Sequence, residues 1–297
     1  MLRKILITGS SGQLGKSLIS ELGSDFELLP TDSHPLPITV SGLPIIEMDI
    51  TNFDQVKQIV TTFAPDIIIN SAAYTNVDGS EIDKNAARNV NVEGLENLIK
   101  TSSTNAYFVQ ISTDYVFDGE NGPYDENAPT FPISYYGKTK LEAENVMRGS
   151  RRRNLILRPN VLYSSSIDDT ASFFSWVFTQ LSDKQEINVV TDQTSNPTWI
   201  PKFAETIHHC VANDVEGIYH YGSENYLSRF DFAIQIAEVF GLDISLIKPI
   251  TTNELNQTAH RPKHSGMNPG KIQKELCISI YSTEFCLTEI KKIMEQK

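Results

Sequence analysis

Cysteine is scarce in this chain. Three in 297 residues, Cys210, Cys277 and Cys286, are too few and of the wrong parity for a disulfide scaffold. Their spacing fits no metal-binding pattern, and no metal site is expected. His260 and His264 are four apart, but Pro262 between them breaks the helix that would align them. Positive charge is also short. Lys and Arg number 25 against 37 Asp and Glu, a net −12 that disfavours nucleic acid or an anionic membrane as partner. The only basic run, Arg151 to Arg153, reads as a solvated turn. Long apolar runs are missing: no window approaches the roughly 18 residues of a membrane span. The apolar run before Gly9 is too short for a secretory signal, so a reducing cytoplasm is the expected location.

What is present starts at that run. Ile5 to Thr8 reads as a buried strand, followed by G-S-S-G-Q-L-G and a helical pattern from Gln13 to Leu22. Gly9, Gly12 and Gly15 are three apart, with Gln13 and Leu14 opening the helix. Such a turn lets backbone approach a pyrophosphate and aims a helix N-terminus at its charge. A second strand, Phe26 to Pro30, ends at Thr31-Asp32, where an acidic residue suits the ribose hydroxyls of NAD. No Lys or Arg lies between Lys16 and Lys57 to accept a 2′-phosphate. NAD(H) is therefore favoured, with NADP(H) open. Ser33 to Pro44 reads as a loop.

Thr51 is the expected N-cap of a helix from Asn52 to Phe63. Asp66 to Asn70 reads as a strand leading into S-A-A-Y-T, where small residues let backbone pass close to a ligand. Asp83 to Thr101 reads as one long helix burying Val90, Leu95, Leu98 and Ile99. An apolar strand, Tyr107 to Ile111, runs into Ser112, Thr113 and Asp114. Beyond an acidic loop comes Y-Y-G-K-T-K-L-E-A-E. Tyr136 and Lys140 are four apart in good helix formers and share a face. A lysine there stabilises the phenolate, lowering the Tyr pKa toward working pH, so that Tyr136 can exchange a proton with a carbonyl/alcohol pair. The Ser112 and Thr113 hydroxyls are placed to polarise the same oxygen.

Asn154 to Leu157 reads as a further strand. Strand–helix alternation with short connections predicts an α/β, doubly wound parallel sheet over residues 1–163. Residues 164–199 and 223–297 are the expected smaller substrate lobe, with 200–222 returning to the sheet. Ser164 to Thr170 is polar. Ala171 to Leu181 is an aromatic helix whose rings suit a core better than a base-stacking box. Ile200 to Val211 reads as a helix, Gly217 to Tyr221 as a strand, and Ser228 caps a helix ending before Gly241. Arg261 is placed to meet either a phosphate or a carboxylate.

The order S-T-D-Y-V-F-D-G, then P-Y, then Y-G-K-T-K-L-E-A-E resembles the nucleotide-sugar branch of the extended short-chain dehydrogenases/reductases. Within it the chain is similar to the dTDP-4-dehydrorhamnose reductase family and to the regulatory β subunits of methionine adenosyltransferase. The resemblance implies a Rossmann fold and reduction of a nucleotide-linked 4-keto sugar, with Tyr136 as general acid, Lys140 its partner and Thr113 on the carbonyl oxygen. It places Asp49 and Ile50 at the adenine, and Ala73, Tyr74 and Thr75 beside the cofactor. Asn91 would steady the catalytic region, and Asp114 and Tyr115 would face the sugar. One departure is expected to matter: Val161 stands where the reductases carry a Trp that borders the sugar. The β-subunit resemblance implies instead an NAD(P)-binding regulatory protein with little turnover. A homodimer is open in either case.

Overall fold

The computed structural model describes residues 2–35, 39–165 and 172–296. Most of the polar stretch after Ser164, and the expected helix start at Ala171, lie outside them.

Seven strands form one parallel sheet: β1 (Lys4–Thr8), β2 (Glu27–Asp32), β3 (Ile46–Glu47), β4 (Ile67–Asn70), β5 (Tyr107–Ile111), β6 (Asn154–Pro159) and β7 (Gly217–Tyr221). Their order is β7-β6-β5-β4-β1-β2-β3. Ile5, Leu6, Ile7 and Ile67, Ile68, Ile69 are wholly buried, as a sheet covered on both faces requires. Strand order reverses between β1 and β4, which opens a crevice at their carboxyl ends.

The main helices are α1 (Gln13–Leu22), α2 (Phe53–Phe63), α3 (Gly94–Thr101), α4 (Tyr135–Gly149), α5 (Phe173–Ser182), α6 (Ile200–Ala212), α7 (Arg229–Phe240) and α8 (Thr283–Glu295). On one face Leu18 and Ile19 of α1 and Phe203 and Ile207 of α6 pack on Ile5, Ile7 and Val109. On the other, Val56 of α2, Leu95 and Leu98 of α3 and Met147 of α4 pack on Leu6, Ile68 and Phe108. A second core joins Phe174, Phe232, Ile236 and Leu287 of α5, α7 and α8 to Tyr163 and Trp199. Among the described residues, no helix is long and apolar enough to cross a membrane.

Local rules explain most boundaries. Ser228 and Asp231 form a reciprocal capping box on α7, and Gly241 ends it at φ +69°. Four local expectations need correction. The cap of α2 is Asn52, which accepts from Gln55 N, because Thr51 spends its hydroxyl on Asp49. The expected long helix is Lys84–Arg88, a π turn at Asn89–Glu93, then α3. The loop after Ser33 contains a two-residue antiparallel pair, Thr39–Val40 with Leu43–Pro44. In the basic run, Arg152 caps the carbonyls of Ile99 and Ser103 and Arg153 pairs with Glu216, so the turn is tied down as well as solvated.

Candidate active site

The crevice between β1 and β4 is a cleft of about 140 Å³ lined by Gly9, Asp32, Asp49, Ile50 and Ala73, among others. Gly9 sits at φ +68°, and a Cβ there would lie 2.7 Å from Ala72 N, so only glycine lets these backbones meet. Gly12 caps α1 without a side chain, which leaves first-turn N–H groups with no side-chain acceptor. That is an anion cradle. Leu14 is buried and Gly15 packs under the turn, so they and Gln13 would contribute backbone; the Gln13 side chain accepts from Ser164 at 3.1 Å. The Asp32 carboxylate accepts from Ser11 N and His34 N, both at 3.0 Å. Tyr74 and Thr75 lie beyond the cleft lining, Thr75 exposed. Asn91 is buried in the π turn: it accepts from Tyr74 N at 2.8 Å and donates to Tyr74 O and to Thr139 Oγ1 on α4. It thus clamps the Tyr74 segment to α4.

Ser134 caps α4 through Gly137 N. At Gly137 a Cβ would sit 2.2 Å from Tyr115 O, so glycine lets α4 press on the turn carrying Thr113, Asp114 and Tyr115. The Tyr136 ring meets Tyr115 edge-on at 5.5 Å, and the Thr113 hydroxyl accepts from Tyr115 N at 3.2 Å, so Thr113 and the partner ring of Tyr136 share one turn. Thr113 donates its own proton to Asp114 Oδ1 at 3.0 Å. Burial pushes the Asp114 carboxyl up to about 6. Lys140 Nζ donates to Ile111 O at 2.6 Å. That carbonyl also receives Gln110 Nε2 (3.0 Å), while Gln110 Oε1 receives Asn70 Nδ2 (2.8 Å) and Asn70 Oδ1 receives Thr8 Oγ1 (2.7 Å). A buried amide relay therefore runs from the glycine turn to the lysine.

Two expectations fail here. The Tyr136 pKa is raised, not lowered: burial is the main cause and the nearby Asp114 charge adds to it. Burial instead lowers Lys140, to about 8. The low-dielectric interior outweighs the attraction expected from the i,i+4 spacing. Ser112, expected to polarise a substrate oxygen, donates to Glu144 and faces away from that task.

A second cavity, about 540 Å³, is lined by residues including Tyr115, Val161, Ser172, Phe173, Arg229 and Arg261. Arg261 forks onto Asp78 with two 2.7 Å bonds, so a carboxylate of the fold meets it, while the residue also lines this cavity. Val161 holds φ +39°, a strained value for a β-branched residue. Arg229 lies 5.1 Å over the Phe173 ring and forms no ion pair among the described residues. The buried Ser172 hydroxyl has no partner among them either. With Asp78 neutralising Arg261, Arg229 leaves the cavity wall positive.

Arg229, Ser172 and Glu144 were not singled out from the sequence. Glu144 had a signal: it extends Tyr136 and Lys140 by one more turn of the same face. Arg229 had none that separates it from any residue after a serine cap.

A glycine turn at the switch point of a parallel sheet, with Tyr, Lys and Thr gathered at the end of β5, defines an oxidoreductase of the extended short-chain dehydrogenase/reductase class. Residues 3–295 match the RmlD substrate binding domain family, and the chain belongs to it. It is 32% identical to dTDP-4-dehydrorhamnose reductase of Aggregatibacter actinomycetemcomitans, over 98% of this chain and 99% of that one. A crystal structure of dTDP-4-dehydrorhamnose reductase from Bacillus anthracis in complex with NADP superposes with TM-score 0.89 at 31% identity, covering 99% of this chain and all of the other. Methionine adenosyltransferase 2 subunit beta of Danio rerio is 27% identical over 95% of this chain and 88% of its own length.

Proposed function

We propose that the chain reduces the ketone of a nucleotide-linked 4-keto sugar with a nicotinamide cofactor, as a dTDP-4-dehydrorhamnose reductase-like enzyme. The observation that carries this reading is the grouping of Tyr136, Lys140 and Thr113 at the end of β5, with Tyr115 leading from them into the second cavity.

The cleft residues fit a dinucleotide: Gly9, Gly12, Gln13, Leu14 and Gly15 offer backbone to its phosphates, Asp32 its ribose, and Asp49, Ile50 and Ala73 its base. When bound, the nicotinamide supplies the hydride. Tyr136, held protonated by burial, donates the proton to the developing alkoxide. Lys140, a cation at neutral pH, stabilises the phenolate left behind. The Thr113 hydroxyl would turn its proton from Asp114 to the substrate carbonyl oxygen. Tyr115, Val161 and Arg229 line the sugar-nucleotide side, where a guanidinium with no ion pair among the described residues suits a negatively charged ligand. Residues 1–163 with 200–222 would bind the cofactor and the remainder the substrate, in a cytoplasmic setting. Asp32 favours NAD(H), although the B. anthracis relative was crystallised with NADP.

The test is incubation with NADH or NADPH and a panel of dTDP-, GDP- and UDP-ketosugars, following cofactor oxidation. Tyr136→Phe should lower turnover by about 10²–10⁴-fold; turnover near the wild-type level would refute the assignment. Val161, in place of a stacking Trp, favours a second reading: a regulatory NAD(P)-binding subunit. Tight cofactor binding with no oxidation across the panel, and co-purification with a synthetase, would select it.

A further inference from the structure

The buried face of α4 carries Tyr136, Lys140 and Glu144, each one turn from the next. The first two belong to the proposed chemistry. Glu144 has no part in it, yet it is wholly inaccessible to solvent. A buried carboxylate is costly unless its oxygens are met by donors, and here they are. Arg158 on β6 donates from Nε to Glu144 Oε1 at 2.8 Å and from Nη2 to Oε2 at 2.6 Å. Ser112 donates to Oε1. The third arm of the guanidinium, Nη1, lies 3.3 Å from His220 Nε2 on β7. A guanidinium only donates, so Nε2 accepts and Nδ1 carries the proton given to Tyr124 O at 3.2 Å. His220 is therefore neutral, and burial beside Arg158 holds its pKa down to about 3. The Phe117 ring packs 5.2 Å from the guanidinium.

Ser112 and Arg158 donate to Glu144, and His220 Nε2 braces Arg158. What Glu144 grips is informative. Ser112 is flanked by Ile111, whose carbonyl receives Lys140, and by Thr113, whose hydroxyl caps the turn carrying Tyr115, the ring that Tyr136 meets. The charged and titratable groups around Lys140 are Tyr136 and Glu144 on its own helix, Asp114 beyond Tyr136, and Arg158 and neutral His220 behind Glu144. Lys140 makes no ion pair in direct contact among the described residues; its bond is to a neutral carbonyl. Glu144 is the carboxylate whose field favours its cation.

We propose that Glu144 is a positioning residue for Lys140: anchored by Arg158 and Ser112, it keeps the lysine a cation and fixes the Ile111–Thr113 segment against which Lys140 and Tyr136 are aligned. The proposal rests on the reading of Lys140 as the cation beside the reacting phenol.

The experiment titrates Lys140 directly, by NMR of the full chain with ¹³C-labelled lysine. Its signal is the one lost in Lys140→Met. The wild-type group should titrate near pH 8. Glu144→Gln should lower that midpoint by about one unit or more, a tenfold loss of proton affinity. Glu144→Asp, which keeps the charge, should retain most of the wild-type value. Because Glu144→Gln strands Arg158, the pair is also neutralised together: Glu144→Gln/Arg158→Gln should fold and shift the midpoint in the same direction by less. An unmoved midpoint in folded Glu144→Gln and in folded Glu144→Gln/Arg158→Gln overturns the proposal. So does failure of all of them to fold, which would make the cluster a folding element alone. No cofactor or sugar is needed for this readout, so a chain that reduces no ketosugar would sink the proposed function and leave this result legible.

Discussion

Helices α1 and α4 lie on opposite faces of one sheet and bury opposite chemistry. α1 turns Leu14, Leu18, Ile19 and Leu22 inward. α4 turns in Tyr136, Lys140 and Glu144, together with Thr139, Ala143 and Met147. Burying an aliphatic side chain contributes about 1.5–3 kcal/mol. Burying an ion contributes nothing by itself and requires a matched partner. The first helix is chosen for stability. The second is chosen for what its charges do, and its cost is offset by Arg158, Ser112 and the relay ending at Ile111 O.

The contrast is broken most sharply at Arg158. Arg158→Ala leaves Glu144 buried without a counter-charge and should cost about 3–5 kcal/mol by denaturant unfolding. A cost below about 1 kcal/mol would put this pair on the level of a surface ion pair. On the other face, Leu18→Ala should cost about 2–5 kcal/mol as a cavity opens under α1. Turnover per folded molecule should stay at the wild-type level, and a matching fall in turnover would dissolve the division of labour.

Lys140→Met should move the two quantities in opposite directions: turnover lost, and the melting temperature at pH 7 raised by a few degrees. The sign follows from proton counting. Folded Lys140 titrates near 8 instead of 10.5, so between those values the unfolded chain binds the extra proton. The group's contribution to stability therefore rises with pH across that window. The gain from Lys140→Met is full below about pH 8 and fades toward about pH 10.5. Thermal melts at pH 7 and pH 10 test this; a wild-type melting point at pH 7 equal to or above that of the variant would count against a strained lysine.

The scaffold was legible because its rules are local. Ile5 to Thr8 can only be a covered strand, and three glycines between strand and helix announce a close approach of backbone to something. Gly217–Tyr221, Tyr107–Ile111 and α1 match their sequence patterns residue for residue. What could not be read depends on partners distant in the chain. Whether Thr51 or Asn52 caps α2 is decided by Asp49 claiming the threonine hydroxyl. The Tyr136 pKa depends on how deeply α4 is buried, which i,i+4 spacing does not encode. Glu144 and Arg158 are 14 positions apart on a helix and a strand, and no periodicity joins them. The π turn around Asn91 likewise has no local signature; it lets one amide bond Tyr74 on one side and Thr139 on the other.

The amide relay has a consequence for assembly. Thr8, Asn70 and Gln110 are direct neighbours in the pairing of β1, β4 and β5. A one-residue slip of any of these strands would set Ile7 or Gly9, Ile69 or Ser71, or Val109 or Ile111 in place of the relay residue and break its hydrogen bonds. Asn70→Leu should therefore lower refolding yield and turnover together, and full turnover in the refolded fraction would separate the two. With the relay intact, correct alignment of the central strands and correct seating of the lysine's acceptor are one event, so a mis-threaded sheet cannot also be a working one.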